Sequence, residues 1–392
     1  NYYAFTELKK ADNVNLEGLS TKLFRTDLRF QEATKLLRID EPQRCLFGAL
    51  VNMEKLNESQ IQLTKRAWSV QLLRRACFTA FGTAAIDLHT KVPFLWEQMK
   101  PQKFNSLAVC TETGITIKAD HHPFDQGIEI YSSGTFAQGV SLGMSISPVS
   151  KKSGIDGLWI LTSSELRSYN KLLFAGFVLG AGISGFLSNI EDWQFYESLI
   201  KSDKEGILAA LLGLATSKRG SGDSKITKVL SVHIRALLPE EAQDSLTISP
   251  LVEHSAIIAL GLLYLGQADR YITSAFIREL KLFSIRKDED VAAADGRDVS
   301  IGIALGLINQ DKKNLADLIP FLDTPSDTPD IPFGVSSGCM CAILLSYAGS
   351  NNKQIADNLC LPETVLDSQY YPPHTFFTRM LVRHLVMWDD VT

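Results

Sequence analysis

Cysteine and positive charge are both scarce in this sequence, and each scarcity excludes a class of protein. Six of the 392 residues are cysteines, which lie mostly inside apolar runs and show no paired spacing typical of a zinc site. The 39 Lys and Arg are outnumbered by 44 Asp and Glu, which gives a net charge of -5. A nucleic-acid groove needs a basic stripe to neutralise phosphates, so no nucleic-acid partner is expected. We interpret the thiols as reduced core residues, namely Cys45, Cys77, Cys110, Cys339, Cys341 and Cys360.

The chain also lacks the local motifs of common enzyme classes. It contains no G-x-S-x-G elbow, no G-x-x-x-x-G-K-[ST] phosphate loop and no H-E-x-x-H metal motif. His121 and His122 lie near Asp120 and Asp125, but adjacent side chains diverge and no third ligand has a supporting spacing. An ordinary loop pair is the simpler interpretation. We therefore predict no catalytic residue, no metal and no cofactor.

One stretch, residues 172–190, carries no charge and is the nearest approach to a membrane span. Glycine, serine and asparagine dilute its hydrophobicity, and the same small-residue pattern returns elsewhere with charges around it. We predict buried helices and no membrane partner. The chain begins without a start methionine or a signal peptide, so we expect a fragment of a longer protein.

What the sequence does contain is internal similarity. Residues 255–262 and 300–307 share a frame of small and aliphatic residues that ends in A-L-G-L. Weaker copies occupy residues 139–143, 175–180, 209–214 and 338–345. The last small residue of the frame recurs every 33 to 48 residues, which suits a two-helix repeat with connectors of varied length. These features predict an all-α fold built from paired helices.

Glycine recurs in this frame although it disfavours helices. In a helix interior it costs about 0.5–1 kcal/mol relative to alanine, so its repeated use predicts a packing role. Small residues three to five apart would give one helix face flat enough for a neighbouring backbone to approach. Leu344 stands where glycine is expected, which puts close approach at that unit in doubt. The predicted close-packing residues are Gly143, Gly180, Gly213, Gly261 and Gly306.

The remaining segments read as second helices, connectors and a few strands. Residues 270–280 place Ile272, Ala275, Phe276 and Leu280 on one face of a helix. Residues 219–223 and 323–330 are rich in turn formers. Near the N-terminus, residues 106–110 and 114–117 are consistent with a short hairpin.

An alternative interpretation rests on residues 180–185, which spell G-x-G-x-x-G after an apolar run. In a dinucleotide-binding fold such glycines join a strand to a helix whose N-terminus holds the pyrophosphate. Glu197 or Asp203 lies at roughly the distance of a ribose-binding acid. However, Gly176 and Gly180 also match the repeat frame, and no alternation of strands and helices surrounds them. A nucleotide-dependent enzyme is therefore the weaker hypothesis.

At the repeat units the sequence resembles the proteasome/cyclosome repeat family, and it is most similar to the cyclosome branch, found in the anaphase-promoting complex. That similarity is carried by residues 216–220, 230–239, 259–266, 351–357, 361–364 and 385–389. It covers about residues 29–392 and leaves residues 1–28 unplaced. The resemblance implies a closed toroid of paired helices and a non-catalytic scaffold of a cell-cycle ubiquitin ligase.

The same resemblance implies particular partners and a location. The partners would be the cullin-like subunit, the Doc-homology substrate receptor and the tetratricopeptide-repeat subunits, with the domain bridging the catalytic and repeat parts. The complex would occupy nucleus and cytoplasm. An open helical solenoid adaptor, such as a proteasome base subunit, is the other alternative.

Overall fold

The computed structural model describes the chain in a series of stretches that fall into two compact units, Asn1–Ser202 and Asp203–Thr392. The longer stretches are 107–110, 116–118, 127–146, 156–162, 170–239, 247–282, 291–322, 332–359 and 373–390, with short pieces at 27–28, 31, 43–45, 57–63, 66–67, 79, 81–82, 84–85 and 361. His121 and His122 lie outside these residues. The predicted division into residues 1–28 and 29–392 stays a prediction.

A three-stranded sheet lies in the first unit. Its strands are β1 (Gln43–Cys45), β2 (Leu107–Cys110) and β3 (Thr116–Lys118), in the order β1-β2-β3. β1 runs parallel to β2, with Arg44 opposite Val109. β2 pairs antiparallel with β3, with Ala108 opposite Ile117, at the position where the sequence predicts a hairpin.

The helices of the first unit follow this sheet in the chain. They are α1 (Gly127–Ser145), α2 (Gly157–Thr162), α3 (Lys171–Ile183) and α4 (Asp192–Lys201), and a short 3-10 turn covers Phe186–Asn189. α1 packs along α3. α3 takes up only part of the uncharged stretch, and among the described residues no helix is both long and apolar enough to cross a membrane.

The second unit consists of helices in its described parts. They are α5 (Lys204–Ser217), α6 (Ser224–Ser231), α7 (Pro250–Leu263), α8 (Arg270–Lys281), α9 (Val291–Ile308), α10 (Phe333–Tyr347), α11 (Lys353–Asn358) and α12 (Pro373–Val386). Shorter 3-10 segments cover Arg235–Leu237, Ala316–Leu322 and Trp388–Asp390.

These helices alternate between two roles. The first helix of each pair, α5, α7, α9 and α10, packs directly against the first helix of the next pair, and α10 continues the series onto α12. The second helices bury one face only. In α8 that face carries Ile272, Phe276 and Leu280, spaced four residues apart, while Tyr271 is 75% exposed. The predicted all-α helical-repeat fold is confirmed.

Each first helix of the second unit ends in the same four-residue turn. Two residues with positive φ, separated by one residue, are followed by Asp or Asn. The first copy is Gly220-Ser221-Gly222-Asp223 and the second is Gly266-Gln267-Ala268-Asp269. Asp311-Lys312-Lys313-Asn314 and Gly349-Ser350-Asn351-Asn352 are the other two. The left-handed pair reverses the chain, which explains why glycine is frequent there.

The last residue of the turn begins the second helix. Asp223 Oδ1 accepts the N–H of Lys225 at 2.9 Å, and Asp269 Oδ1 accepts that of Ile272 at 2.9 Å. Such caps satisfy donors that have no partner within the helix. The backbone hydrogen bond from Lys225 also lowers the pKa of Asp223, because it favours the ionised carboxylate.

The turns also form hydrogen bonds with the next helix pair of the array. The N–H groups of Gly266 and Ala268 donate to the carbonyls of Leu307 and Ile308 at the end of α9, both at 2.9 Å. The N–H groups of residues 220 and 222 do the same at the end of α7, and those of residues 349 and 351 at the end of α12. A helix leaves its last carbonyls without internal partners, so in these three places one helix pair satisfies the end of the next.

This turn makes a testable prediction about backbone strain. Gly266 has φ 70° and open space around an added Cβ, so Gly266→Ala changes conformational preference alone. The left-handed region costs an L-residue about 1–2 kcal/mol, which a restricted unfolded chain offsets by about 0.4–1 kcal/mol. We expect the free energy of unfolding to fall by about 1 kcal/mol, measured as a lower denaturation midpoint.

The matched control lies two residues on. Ala268 already has φ 53°, so Ala268→Gly should not destabilise the chain and should give a small gain. If both substitutions move the midpoint in the same direction, the left-handed turn is not what fixes the stability of this position.

Candidate functional site

Four glycines line the contact between α1 and α3 and leave no room for side chains. Gly139 and Gly143 lie on α1, and Gly176 and Gly180 lie on α3. A Cβ added to Gly176 would lie 2.9 Å from the carbonyl carbon of Phe136, and one added to Gly180 would lie 3.0 Å from the Cα of Gly143. Both distances are shorter than ordinary carbon contacts, so the two helices meet backbone to backbone.

The same kind of contact joins α9 to α10. Gly302 faces the backbone of Gly338 so closely that a Cβ on Gly302 would overlap it. Gly306, one turn further along, faces Ala342, whose Cα would lie 3.2 Å from an added Cβ. The side chain of Leu345 is nearer, with its Cβ at 2.7 Å.

Gly261 and Gly213 lie in other first helices. A Cβ on Gly261 in α7 would lie 2.7 Å from the Cα of Ala304 in α9. Gly213 is buried in α5, which packs on α7. The structure thus brings Gly143 and Gly180 together and sets Gly261 against a different helix from the one that faces Gly306.

The unit with Leu344 keeps its close approach through other residues. Leu344 is only half-buried, and the contacts are made by Gly334 and Gly338 in the earlier part of α10. A Cβ on Gly338 would lie 3.0 Å from the carbonyl carbon of Asp298. The frame drawn from the sequence missed this pair because it aligned the last small residue of each unit. The available signal was the spacing of four, which places two glycines on one helix face.

The G-x-G-x-x-G segment occupies the wrong end of a helix for a dinucleotide. Gly180 and Gly182 lie in the last turn of α3, and Gly185 follows with φ 81°. The N–H of Ser184 donates to Gly180 and that of Gly185 to Gly182, at 3.1 and 2.8 Å. Pyrophosphate binds where free N–H groups and the positive end of the dipole point outward, which is the N-terminus. The nucleotide hypothesis is not favoured.

Ionisable groups cluster at the N-terminal ends of the first helices, and their contacts are structural. Glu253 is 2% exposed; its carboxylate accepts the N–H of Arg235 at 3.1 Å and lies 3.3 Å from Arg235 Nε. Burial lowers the pKa of His254, whose Nε2 lies 3.2 Å from the carbonyl oxygen of Ala293. These groups join α7 to the segments beside it.

Asp295 on α9 caps the start of the neighbouring helix α10. Its Oδ1 accepts the N–H of Gly334 at 2.9 Å, at the start of α10. The residue before that helix, Pro332, offers no capping side chain. An acid 39 positions earlier in the chain therefore supplies the cap that the local sequence lacks.

The thiols and acids described by the structure form no reactive group. Cys339 and Cys341 are free, and burial raises the pKa of the Cys339 thiol to about 12, far from that of a nucleophile. Among the described residues, no three histidine, cysteine or acidic side chains could hold one metal ion.

A cavity of about 310 Å³ lies on the surface between α11 and α12. Lys353, Asp357, Arg383 and His384 contribute its polar groups. The imidazole Nδ1 of His384 lies 2.7 Å from the carbonyl oxygen of Met380, one turn back in its own helix. This lining contains one acid and several bases, but no Ser, Thr or Cys nucleophile beside a base.

Comparison with known proteins gives two matches that lie end to end. Residues 19–219 match the family model described as APC1 fourth domain, and residues 224–392 match APC1 fifth domain. The junction between the two matches falls within the turn that follows α5.

Curated relatives from distant organisms give the same family. Anaphase-promoting complex subunit 1 of Saccharomyces cerevisiae is 34% identical over 301 residues, which is 75% of this chain and 16% of that protein. Negative regulator of mitosis from Emericella nidulans is 28% identical over 99% of this chain and 19% of its own length. The Homo sapiens anaphase-promoting complex subunit 1 is 25% identical over 98% of this chain and 21% of its own length. The chain spans about one fifth of these relatives.

The glycine contacts predict the sign of two substitutions. In an exposed helix, Gly→Ala stabilises by roughly 0.5–1 kcal/mol, whereas overpacking costs about 1–3 kcal/mol. Gly261→Ala must displace the backbone at Ala304, so we expect it to lower the denaturation midpoint. Gly306→Ala should cost less, because the side chain of Leu345 can move.

Leu344→Met is the matched control in the same class of helix, since it is nearly isosteric and its site is half-buried. It should leave the midpoint almost unchanged. Alanine variants that both melt above the parent would show that these helices are not in tight contact.

A second prediction concerns dinucleotides. Titration of NAD(H) or NADP(H) should leave the melting temperature unchanged, because residues 180–185 lie at a helix C-terminus. A real binder at 100 times its Kd would gain about 2.7 kcal/mol, which a thermal melt detects easily. A clear upward shift would revive the nucleotide hypothesis.

Proposed function

We propose, from the premise that this chain belongs to the APC1 family, that it is a non-catalytic scaffold region of the anaphase-promoting complex, a cell-cycle E3 ubiquitin ligase. One observation carries the proposal: the two family matches together cover nearly the whole chain, and most of the relatives compared carry the name of a subunit of that complex. The chain would then contribute shape and contact surface, and other subunits the chemistry.

The way the described residues use their polar groups supports a scaffold. Helix ends, which often bind ligands in enzymes, are occupied by the chain itself. Turn N–H groups bind the ends of α7, α9 and α12, and Asp295 caps α10. In such an array, the hydrogen-bonding groups at the helix ends are paired within the chain. An array of this kind is suited to holding partner subunits at fixed distances.

Backbone contact supports the same conclusion. Where helices meet through glycine, few flexible side chains lie between them. A movement of one helix is therefore transmitted to the next helix almost unchanged. A scaffold that positions other subunits needs such stiffness.

The finer proposal concerns particular neighbours. We propose contacts with the cullin-like subunit, the Doc-homology substrate receptor and the tetratricopeptide-repeat subunits, so that the region bridges catalytic and repeat parts of the complex, in nucleus and cytoplasm. The resemblance in the repeat units supports these partners. Ring closure stays a prediction, which electron microscopy of the purified chain would test.

The experiment compares complexes assembled around the full-length subunit. One sample carries Gly180→Leu and Gly302→Leu, which force side chains into backbone contacts of α1–α3 and α9–α10. The other carries Leu344→Met. We expect the glycine double variant to lose neighbouring subunits from the purified complex, whereas the control retains them.

Quantitative mass spectrometry of subunit stoichiometry is the readout, alongside a ubiquitin-transfer assay of the 392-residue chain alone. Full occupancy in a complex whose double variant has demonstrably unstacked would contradict the scaffold. So would ubiquitin transfer by the chain without its partners.

A further inference from the structure

One face of α4 exposes three large apolar side chains. Trp193 is 60% exposed, Tyr196 46% and Ile200 85%. Their spacing of three and four residues puts them on one side of the helix, opposite the buried Phe195 and Ser198. We call these three residues the α4 stripe. Single exposed apolar residues are common, but a contiguous set with Trp and Tyr is typical of an interface.

The stripe is held in place before any partner arrives. Trp193 Nε1 donates to Glu191 Oε2 at 2.6 Å, which fixes the indole ring against the start of the helix. Lys201 and Glu197 form an ion pair at 2.5 Å along its edge. Ordered anchors lose less conformational entropy on binding, so such a surface is already prepared for docking.

The charge around the stripe distinguishes α4 from comparable helices. With its N-cap, α4 carries Glu191, Asp192 and Glu197 against Lys201. Counted in the same way, α6 carries Asp223 against Lys225 and Lys228. In α8, three basic residues oppose Asp269 and Glu279. Both of these helices expose one large apolar residue or two near their ends, and neither has a stripe. α12 also exposes Phe377, Met380 and Leu381 on one face, but that helix carries Arg and His and no acid. Of the two exposed apolar faces, the one on α4 is therefore the acidic one.

We propose that the α4 stripe docks a basic amphipathic segment of another subunit. Helical segments bind through anchors at spacings of three, four and seven residues, which matches the stripe. Arginine suits both parts of the surface, because its guanidinium stacks on Trp and Tyr faces and can join the Glu197–Lys201 pair at the carboxylate. The inference rests on the proposed function, since it names a class of partner for the scaffold.

The test places the photo-reactive residue benzoylphenylalanine at position 200 of the full-length subunit within the assembled complex. Ile200 is the most exposed member of the stripe, so the probe should fit without disturbing the helix. After irradiation, mass spectrometry identifies the joined peptide. We expect a peptide from another subunit that is rich in Arg or Lys with apolar residues between them.

The control probe replaces Tyr271 on α8, which is 75% exposed but flanked by Arg270 and Arg278. It should not select a basic peptide. The variant Trp193→Ala should lower the yield from position 200 at least about tenfold, because aromatic anchors carry most of the binding energy at interfaces. Asp192→Asn with Glu197→Gln, which keeps the shape and removes two charges, should lower it several-fold.

The remaining outcomes overturn the proposal. They are no product, an acidic peptide, a peptide of this same chain including a second copy, or a yield that ignores Trp193→Ala. The scaffold role would survive any of these, because subunit loss on disrupting α1–α3 and α9–α10 is measured independently.

Discussion

Backbone contact between neighbouring first helices is the constraint on which the rest of the structure depends. At Gly302 and Gly338 the two main chains touch, so the separation of α9 and α10 cannot be adjusted by swapping one side chain for another. That fixed spacing brings helix ends and turns of adjacent units within hydrogen-bonding reach. Glycine destabilises each helix on its own, and the array recovers that loss only by stacking. Stability is therefore a property of neighbours, as in other repeat proteins.

Capping shows how far this dependence extends. The end of α9 is completed by the turn at Gly266, and the start of α10 by Asp295. A helix with its ends satisfied by the adjacent unit is stable only while that unit is present. Units joined in this way favour all-or-none behaviour over short ranges, and they leave the outward faces of the second helices free to vary. The opposite charges of α4 and α8 are one expression of that freedom.

Much of the fold could be predicted from the sequence, because each copy of the repeat motif consists of residues that lie close together in the chain. Gly261 and Gly306 occupy the same position in two copies of the A-L-G-L motif, and the turn glycines can be recognised from the sequence as turn formers. The register of α10 could not be predicted, since Gly338 makes the close contact expected nearly two turns later at Leu344. The capping hydrogen bond between Asp295 and Gly334 could not be predicted, because the two residues are far apart in the sequence. Left-handed Asp311 and Lys313 lack the usual glycine, so the sequence gives no glycine signal for this copy of the turn. The α4 stripe could not be recognised from the sequence, because apolar residues on an exposed helix face have the same spacing as those on a buried face. Only the structure shows which face is exposed.

The four-residue turn also bears on how such an array evolves. Its copies start at residues 220, 266, 311 and 349, so the interval drifts between 38 and 46 residues while the turn keeps its length and dihedral pattern. The shortest interval, 38 residues, is the one whose second helix is the seven-residue 3-10 segment Ala316–Leu322, against 12 residues in α8. The turn therefore stays constant while the elements between its copies differ in length. Because added loop length costs little, a lineage could add regulatory sequence between copies of the turn, and the spacing of the stacked helices would not change.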